Sequence, residues 1–142
     1  MAELLGEHHY QLDPKGRLSL PAKFREAFAD GVYLTLGQDG CVFAFPREEW
    51  EQRKAEVAGL PISDPRNRAY SRMFFGSAER VELDAQGRLV LPRHLRETAR
   101  LGREVAVVGV SDRLEIWDGG EWGRYREDHG GSYTSGALVP ER

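Results

Sequence analysis

Residues 13–26 read DPKGRLSLPAKFRE, and residues 84–97 read DAQGRLVLPRHLRE. Eight of the fourteen aligned positions are identical (Asp, Gly, Arg, Leu, Leu, Pro, Arg and Glu), at an offset of 71 residues. In a chain of 142 residues such a repeat decides how every other residue is read. The likeness continues beyond the quoted stretch. Residues 32–37 (VYLTLG) answer to 104–109 (EVAVVG), 41–45 (CVFAF) to 113–117 (RLEIW), and Trp50 to Trp122, now at an offset of 72. The drift of one places a single insertion in the second copy, near residues 101–103.

The pattern inside a copy is readable. Residues 8–12 suit a short strand, and Asp13-Pro14-Lys15-Gly16 is a turn: Pro pre-sets φ at its second position and Gly tolerates positive φ at its end. Residues 17–20 alternate polar and apolar, as a half-buried strand does. Pro21 suits the first turn of a short helix whose Phe24 and Phe28 form one apolar stripe. Strands over 32–36 and 42–45 are joined through Gly37-Gln38-Asp39-Gly40, and Pro46 starts a helix carrying Trp50. Between the copies, Ser63-Asp64-Pro65 opens another helix, running to about residue 75. The domain reading is therefore repeat 1 over 7–50, a helical connector over 51–77, repeat 2 over 78–122, and a Gly/Ser-rich tail over 129–142, expected to be disordered.

Composition bounds the class. Charged residues make up 30% of the chain and the hydrophobic fraction is 40%, as in soluble globular proteins. Units of about 70 residues are marginal alone, so two of them should lean on each other or on other chains. The one cysteine, Cys41, excludes an internal disulfide and fits a reducing compartment. No apolar run reaches the 18 or so residues of a membrane span, and the start lacks a signal-peptide pattern, so a cytoplasmic location is expected. The net charge of −3 is unhelpful to a nucleic-acid binder, but its distribution is uneven. Residues 13–25 hold Lys15, Arg17, Lys23 and Arg25 against Asp13 alone, and residues 84–96 hold Arg88, Arg93 and Arg96 against Asp84. The positive excess falls on the repeated segment.

No enzymatic constellation is present: no GxxxxGK[ST], HExxH or GxSxG, and no cysteine pair for zinc. His8-His9 invites a metal reading, but neighbours on a strand point to opposite faces. Cys41 precedes an apolar strand and reads as a small hydrophobe, and Trp50 and Trp122 read as core or interface anchors. Arg66, Arg68 and Arg72 read as a solvated helix face. No enzyme, cofactor or metal is expected. The Asp-x-x-x-Arg turns admit two readings. In one, Asp13 accepts backbone hydrogen bonds and Arg17 pairs with an acid; this accounts for Asp and Gly but not for Lys15 and Lys23. In the other, Arg17 grips guanine O6 and N7 while Lys15 meets phosphate. The residues alone leave both open.

GRLSLPAKFRE after DPK, and GRLVLPRHLRE after DAQ, resemble the SpoVT-AbrB motif. Two copies with a helical connector containing SDPRNRAYSRMFFGSA resemble the MraZ family over about residues 5–127. The resemblance implies an α+β fold of two AbrB-like, swapped-hairpin units forming one pseudo-twofold β-barrel with flanking helices. It also implies a DNA-binding transcription regulator, usually a repressor of its own operon in the division and cell-wall gene cluster. Such a protein would bind double-stranded DNA at promoter direct repeats, as a ring-like homo-oligomer associated with the nucleoid, with no membrane or small-molecule substrate. The family's functional Asp-x-x-x-Arg falls on Asp13 and Arg17 and again on Asp84 and Arg88; with the reading of the turns above, the DNA-binding candidates are Lys15, Arg17 and Arg88, and the turn-orienting ones Asp13, Gly16, Asp84 and Gly87. Gln86 stands where copy one has Lys15, so the second copy departs from the pattern. Arg25 and Arg96 are expected to pair with acids inside the barrel. A protein-interaction or antitoxin-type module is the alternative.

Overall fold

In the computed structural model, which describes residues 3–141, each copy contributes four strands. They are β1 (Leu4–Gln11), β2 (Arg17–Ser19), β3 (Val32–Leu36) and β4 (Val42–Phe45) from the first copy, and β5 (Glu79–Val81), β6 (Arg88–Val90), β7 (Glu104–Ser111) and β8 (Leu114–Asp118) from the second. The helices are α1 (Arg47–Ala58), α2 (Pro65–Ser77), α3 (Arg93–Thr98) and α4 (Gly119–Thr134). Where copy two has α3, copy one has two successive 3₁₀ turns, Ala22–Phe24 and Glu26–Phe28. In both copies a proline stands immediately before the first turn (Pro21, Pro92), with extended ψ of 137° and 142° that ends the preceding strand.

Six strands form one antiparallel sheet in the order β1-β7-β8-β4-β3-β5, and β2 pairs with β6 in a separate two-stranded ribbon. The pairing is crossed between copies. β1 of the first copy runs along β7 of the second over eight pairs, from Leu4↔Ser111 to Gln11↔Glu104. Reciprocally, β5 of the second copy runs along β3 of the first, from Val32↔Val81 to Leu34↔Glu79. The two hairpins meet at β4 and β8 through Val42↔Ile116 and Ala44↔Leu114. The expected closed barrel is not found: β1 and β5 are the edges of an open sheet, and the ribbon lies over one face of it instead of joining the ladder. Each copy's first strand thus completes the other copy's sheet, as the marginal size of one copy requires.

The two-residue side-chain period of the strands divides the interior. Val32, Leu34, Val42, Ala44, Val105, Val107, Leu114 and Ile116 pack on one face, against Leu18, Leu20, Leu89 and Leu91 of the ribbon segments and Phe24, Phe28 and Leu95 of the short helices. The alternate residues, Phe43, Phe45, Ala106 and Trp117, pack on the other face with Trp50, Val57 and Phe74. Trp50 stacks between Tyr33 (5.5 Å, 8°) and Phe74 (5.2 Å, 10°), so it is a core anchor. Trp122 packs on Trp117 at 5.2 Å. Helix α2 is fixed to β3 by hydroxyls: Thr35 Oγ1 donates to Phe74 O (2.6 Å), and Ser77 Oγ accepts from Leu36 N (3.1 Å).

The tail corrects the sequence reading in part. Helix α4 continues through residues 129–134, where irregular chain was expected, and residues 135–141 lack regular secondary structure. The helix has a firm start, since Asp118 Oδ2 accepts from Gly120 N (3.1 Å) and Glu121 N (3.2 Å). It then packs Trp122 and Tyr125 on Trp117, so tertiary anchoring extends it through glycines that disfavour helix.

Candidate nucleic-acid interface

The repeated motif builds the same turn twice. Gly16 N donates to Asp13 O (2.9 Å) and Gly87 N to Asp84 O (2.9 Å), closing a four-residue turn in each copy. The glycines take φ of +77° and +76°, which side chains with a Cβ adopt only with strain. Asp13 Oδ1 accepts from Lys15 N (2.9 Å) and Arg17 N (2.8 Å), and its Oδ2 accepts from Arg17 Nε. Asp84 repeats the scheme, with Gln86 N and Arg88 N on Oδ1 and Arg88 Nε on Oδ2, all at 2.9 Å. Asp13 and Asp84 orient the turns and the arginines together. The backbone N–H of Arg17, followed by its side chain, holds the Asp13 carboxyl below the usual carboxylate range; Arg88 does the same for Asp84.

These arginines are not buried ion pairs. The Arg17 side chain is 34% exposed and that of Arg88 31%, so each guanidinium reaches solvent while its Nε is tethered. The tether to the aspartate engages Nε, and a bidentate acceptor is met by two N–H groups of a guanidinium fork. Lys15 is exposed at the turn tip.

The ribbon brings the two turns together. β2 and β6 are antiparallel with Arg17 opposite Val90, Leu18 opposite Leu89, and Ser19 opposite Arg88. Leu18 and Leu89 are buried at 0% and 1%, so the outer face carries Arg17, Ser19, Arg88 and Val90. Leu91 N donates to Gly16 O and Leu20 N to Gly87 O, extending the ribbon to both turns, which stand at its opposite ends. The result is a two-stranded antiparallel ribbon with one arginine from each copy on its outer face, and a major groove admits such a ribbon.

Arg25 and Arg96 do something other than expected. In place of internal acids, Arg25 Nε donates to Leu20 O (3.3 Å) and Arg96 Nε to Leu91 O (3.0 Å). Each guanidinium then lies against the glycine of the other copy's turn, Arg96 against Gly16 and Arg25 against Gly87. The remaining candidates separate from this face. Arg66 pairs with Asp64 (3.2 Å) at the start of α2, and Arg68 donates to Ile62 O (2.9 Å) and Ser63 O (3.2 Å). His8 packs its ring edge-on to Phe24 while His9 pairs with Glu7 at 2.8 Å, so the two histidines do not converge. Among the described residues no group of three or more His, Cys, Asp and Glu is placed to hold a metal ion, and no helix is long and apolar enough to cross a membrane. Cys41 is buried, and burial pushes its thiol well above the ordinary value, away from nucleophilic work.

With the duplicated turn and its crossed strands in place, the comparison with known proteins is decisive. A family model described as "MraZ protein, putative antitoxin-like" matches twice, over residues 4–73 and 74–135. The chain belongs to the MraZ family. It is similar to the transcriptional regulator MraZ of Pelotomaculum thermopropionicum, 45% identical over 129 residues that cover 91% of this chain and 89% of that one. It is also similar to the transcriptional regulator MraZ of Saccharopolyspora erythraea, 46% identical over 130 residues covering 92% and 91%, and to that of Heliobacterium modesticaldum, 41% identical over 129 residues covering 91% and 90%. The two MraZ matches meet at residues 73 and 74, inside α2, so the connector helix belongs to both halves of the family pattern.

Two ribbon residues escaped the sequence reading. Val90 lies in the apolar run LVL, and it is 50% exposed. Ser19, its counterpart in the first copy, carries no chemistry that marks it. The available signal was the alternation of Leu18 with Leu20 and of Leu89 with Leu91, which turns residues 19 and 90 outward.

Proposed function

We propose that this chain is a sequence-specific DNA-binding transcription regulator of the operon in which its own gene lies, in the division and cell-wall cluster, acting as a repressor. The observation that supports this best is the ribbon face, where Arg17 and Arg88 are held at matched turns by Asp13 and Asp84. Arg17 reads guanine in the major groove, Lys15 contacts phosphate, and Arg88 makes the second arginine contact. The two copies act as halves of one pseudo-twofold, swapped-hairpin reading unit. The regulator relatives, similar over about nine-tenths of their length, support the regulatory role.

A single ribbon offers few cationic contacts, and the net charge of −3 argues against strong binding by one module. Several modules on a closed ring, reading promoter boxes in direct repeat, make later contacts intramolecular and raise avidity by roughly 10²–10⁴. The exposed apolar residues of α2, Tyr70, Met73 and Phe75, support an interface between copies. A ring of this kind works at the nucleoid.

The test is a gel shift with the gene's own upstream region against a scrambled duplex at two salt concentrations. Specific retention that weakens steeply with salt is expected. Equal affinity for one box and for several boxes rejects the ring-avidity mechanism, and equal retention of the scrambled duplex rejects sequence reading. An antitoxin-type interaction module is the second reading, favoured by the same apolar face of α2; it predicts a protein partner and no retention of either duplex.

A further inference from the structure

We infer that Val90 is a base-reading residue that selects a thymine beside the guanine taken by Arg17; this rests on the DNA-reading function proposed above. The register puts Val90 directly opposite Arg17 across the β2–β6 pair. Directly opposite residues of an antiparallel pair have Cβ atoms about 4.5–5.5 Å apart and project from the same face. Val90 is half exposed, at 50%, although both its strand neighbours, Leu89 and Leu91, are buried at 1% and 0%. A β-branched apolar side chain is thus presented to solvent at one end of a face otherwise made of arginines and a serine.

In the major groove the apolar feature of a base edge is the C5-methyl of thymine, and apolar side chains recognise it by contact. An arginine that fixes guanine O6 and N7 sets the register, so a valine one strand away falls on a neighbouring base pair. The two ends of the ribbon also differ. Arg17 has Val90 opposite it and Lys15 in its turn, whereas Arg88 has Ser19 opposite it and Gln86 in its turn. A serine hydroxyl accepts either donor or acceptor edges. The Arg17 end therefore discriminates more sharply, and each module reads its box in one direction only.

The experiment uses the full-length protein and a duplex pool with a randomised central window. Parent, Val90→Ala and Val90→Ser proteins each select from it, and the best parental duplex is then remade with deoxyuridine at each thymine in turn. The parent should enrich a thymine adjacent to a guanine and lose about four-fold in affinity when that thymine lacks its methyl, the effect expected for burying one such group. Val90→Ser should bind thymine and uracil duplexes equally, and Val90→Ala, whose shorter methyl reaches less far, should show a smaller preference than the parent, both while still requiring the guanine. A parent that binds the selected duplex with no loss on any uracil replacement overturns this inference and leaves the DNA-reading function standing, as does an unchanged methyl preference in Val90→Ala. A parent that enriches no sequence overturns both. Position 90 is exposed, so the variants should keep the parental far-UV circular dichroism and unfolding midpoint. A Val90→Thr variant, which retains β-branching and one methyl, should keep part of the preference, and its complete loss there would overturn methyl contact as the cause.

Discussion

The guanidinium of Arg96 lies against Gly16, so close that a Cβ added to that glycine would stand 2.7 Å from Arg96 Cζ. The same relation holds between Arg25 and Gly87, and each arginine is fixed to a carbonyl of its own copy, Leu91 O for Arg96 and Leu20 O for Arg25. Each copy thereby supports the turn of the other. Gly16 has two reasons to be glycine, positive φ and this contact. Gly16→Ala should cost about 1–2 kcal/mol from the left-handed backbone alone, read as a lower midpoint in urea unfolding. A midpoint equal to the parent's would show that the turn relaxes freely.

Arg17→Ala should lose promoter binding with the assembly intact, since the side chain projects outward and supports no core residue. One bidentate guanine contact is worth about 1–3 kcal/mol, or roughly five-fold to more than a hundred-fold in affinity. Arg88→Ala should lose less, because Gln86 supplies no charge where Lys15 does. Gel shift with size-exclusion chromatography on the same samples checks both; parental binding by Arg17→Ala rejects the assignment.

Lys15→Ala should weaken binding to all duplexes alike and reduce the salt slope by about one, as expected for a phosphate contact. Affinity measured across a salt series separates this from base reading, which would change sequence preference instead.

The pH dependence follows from Asp13 and Asp84. Both carboxyls are held low in the folded protein, chiefly by the backbone N–H groups of Arg17 and Arg88. A depressed carboxyl stabilises the folded state above its unfolded value of about 4 and stops doing so as pH falls through the folded value. Stability and DNA affinity should therefore be flat from pH 7 to about 5 with respect to these groups, then decline in stronger acid. Asp13→Asn should shrink the acid-dependent part of the unfolding midpoint; an unchanged acid limb would assign it to other carboxylates.

Thr35 joins the central sheet to the connector helix. Its buried hydroxyl donates to Phe74 O at 2.6 Å and lies 2.9 Å from Ser77 Oγ. Thr35→Val keeps the volume and removes the donor, leaving a buried carbonyl short of a partner at a cost of about 1–3 kcal/mol. Urea unfolding should show that loss, and hydrogen exchange should show it first in residues 65–77.

Much of this molecule was legible before any coordinates. The repeat, the glycine turns, the strands over 32–36 and 42–45 and the bonding of the Arg17 N–H to Asp13 all follow from interactions within a few residues, such as the bond from Arg17 N to Asp13 Oδ1. Turn chemistry and side-chain alternation are local, so the amino-acid order alone determines them. What tertiary structure decided is which partner each piece meets. β1 joins a strand some hundred residues away, Leu4 opposite Ser111, and leaves the sheet open with the ribbon laid across it. Arg25 and Arg96 look like acid-pairing helix residues until the other copy's glycine arrives beneath them. Those outcomes depend on contacts between distant segments that compete for the same apolar faces, and no local pattern encodes the winner.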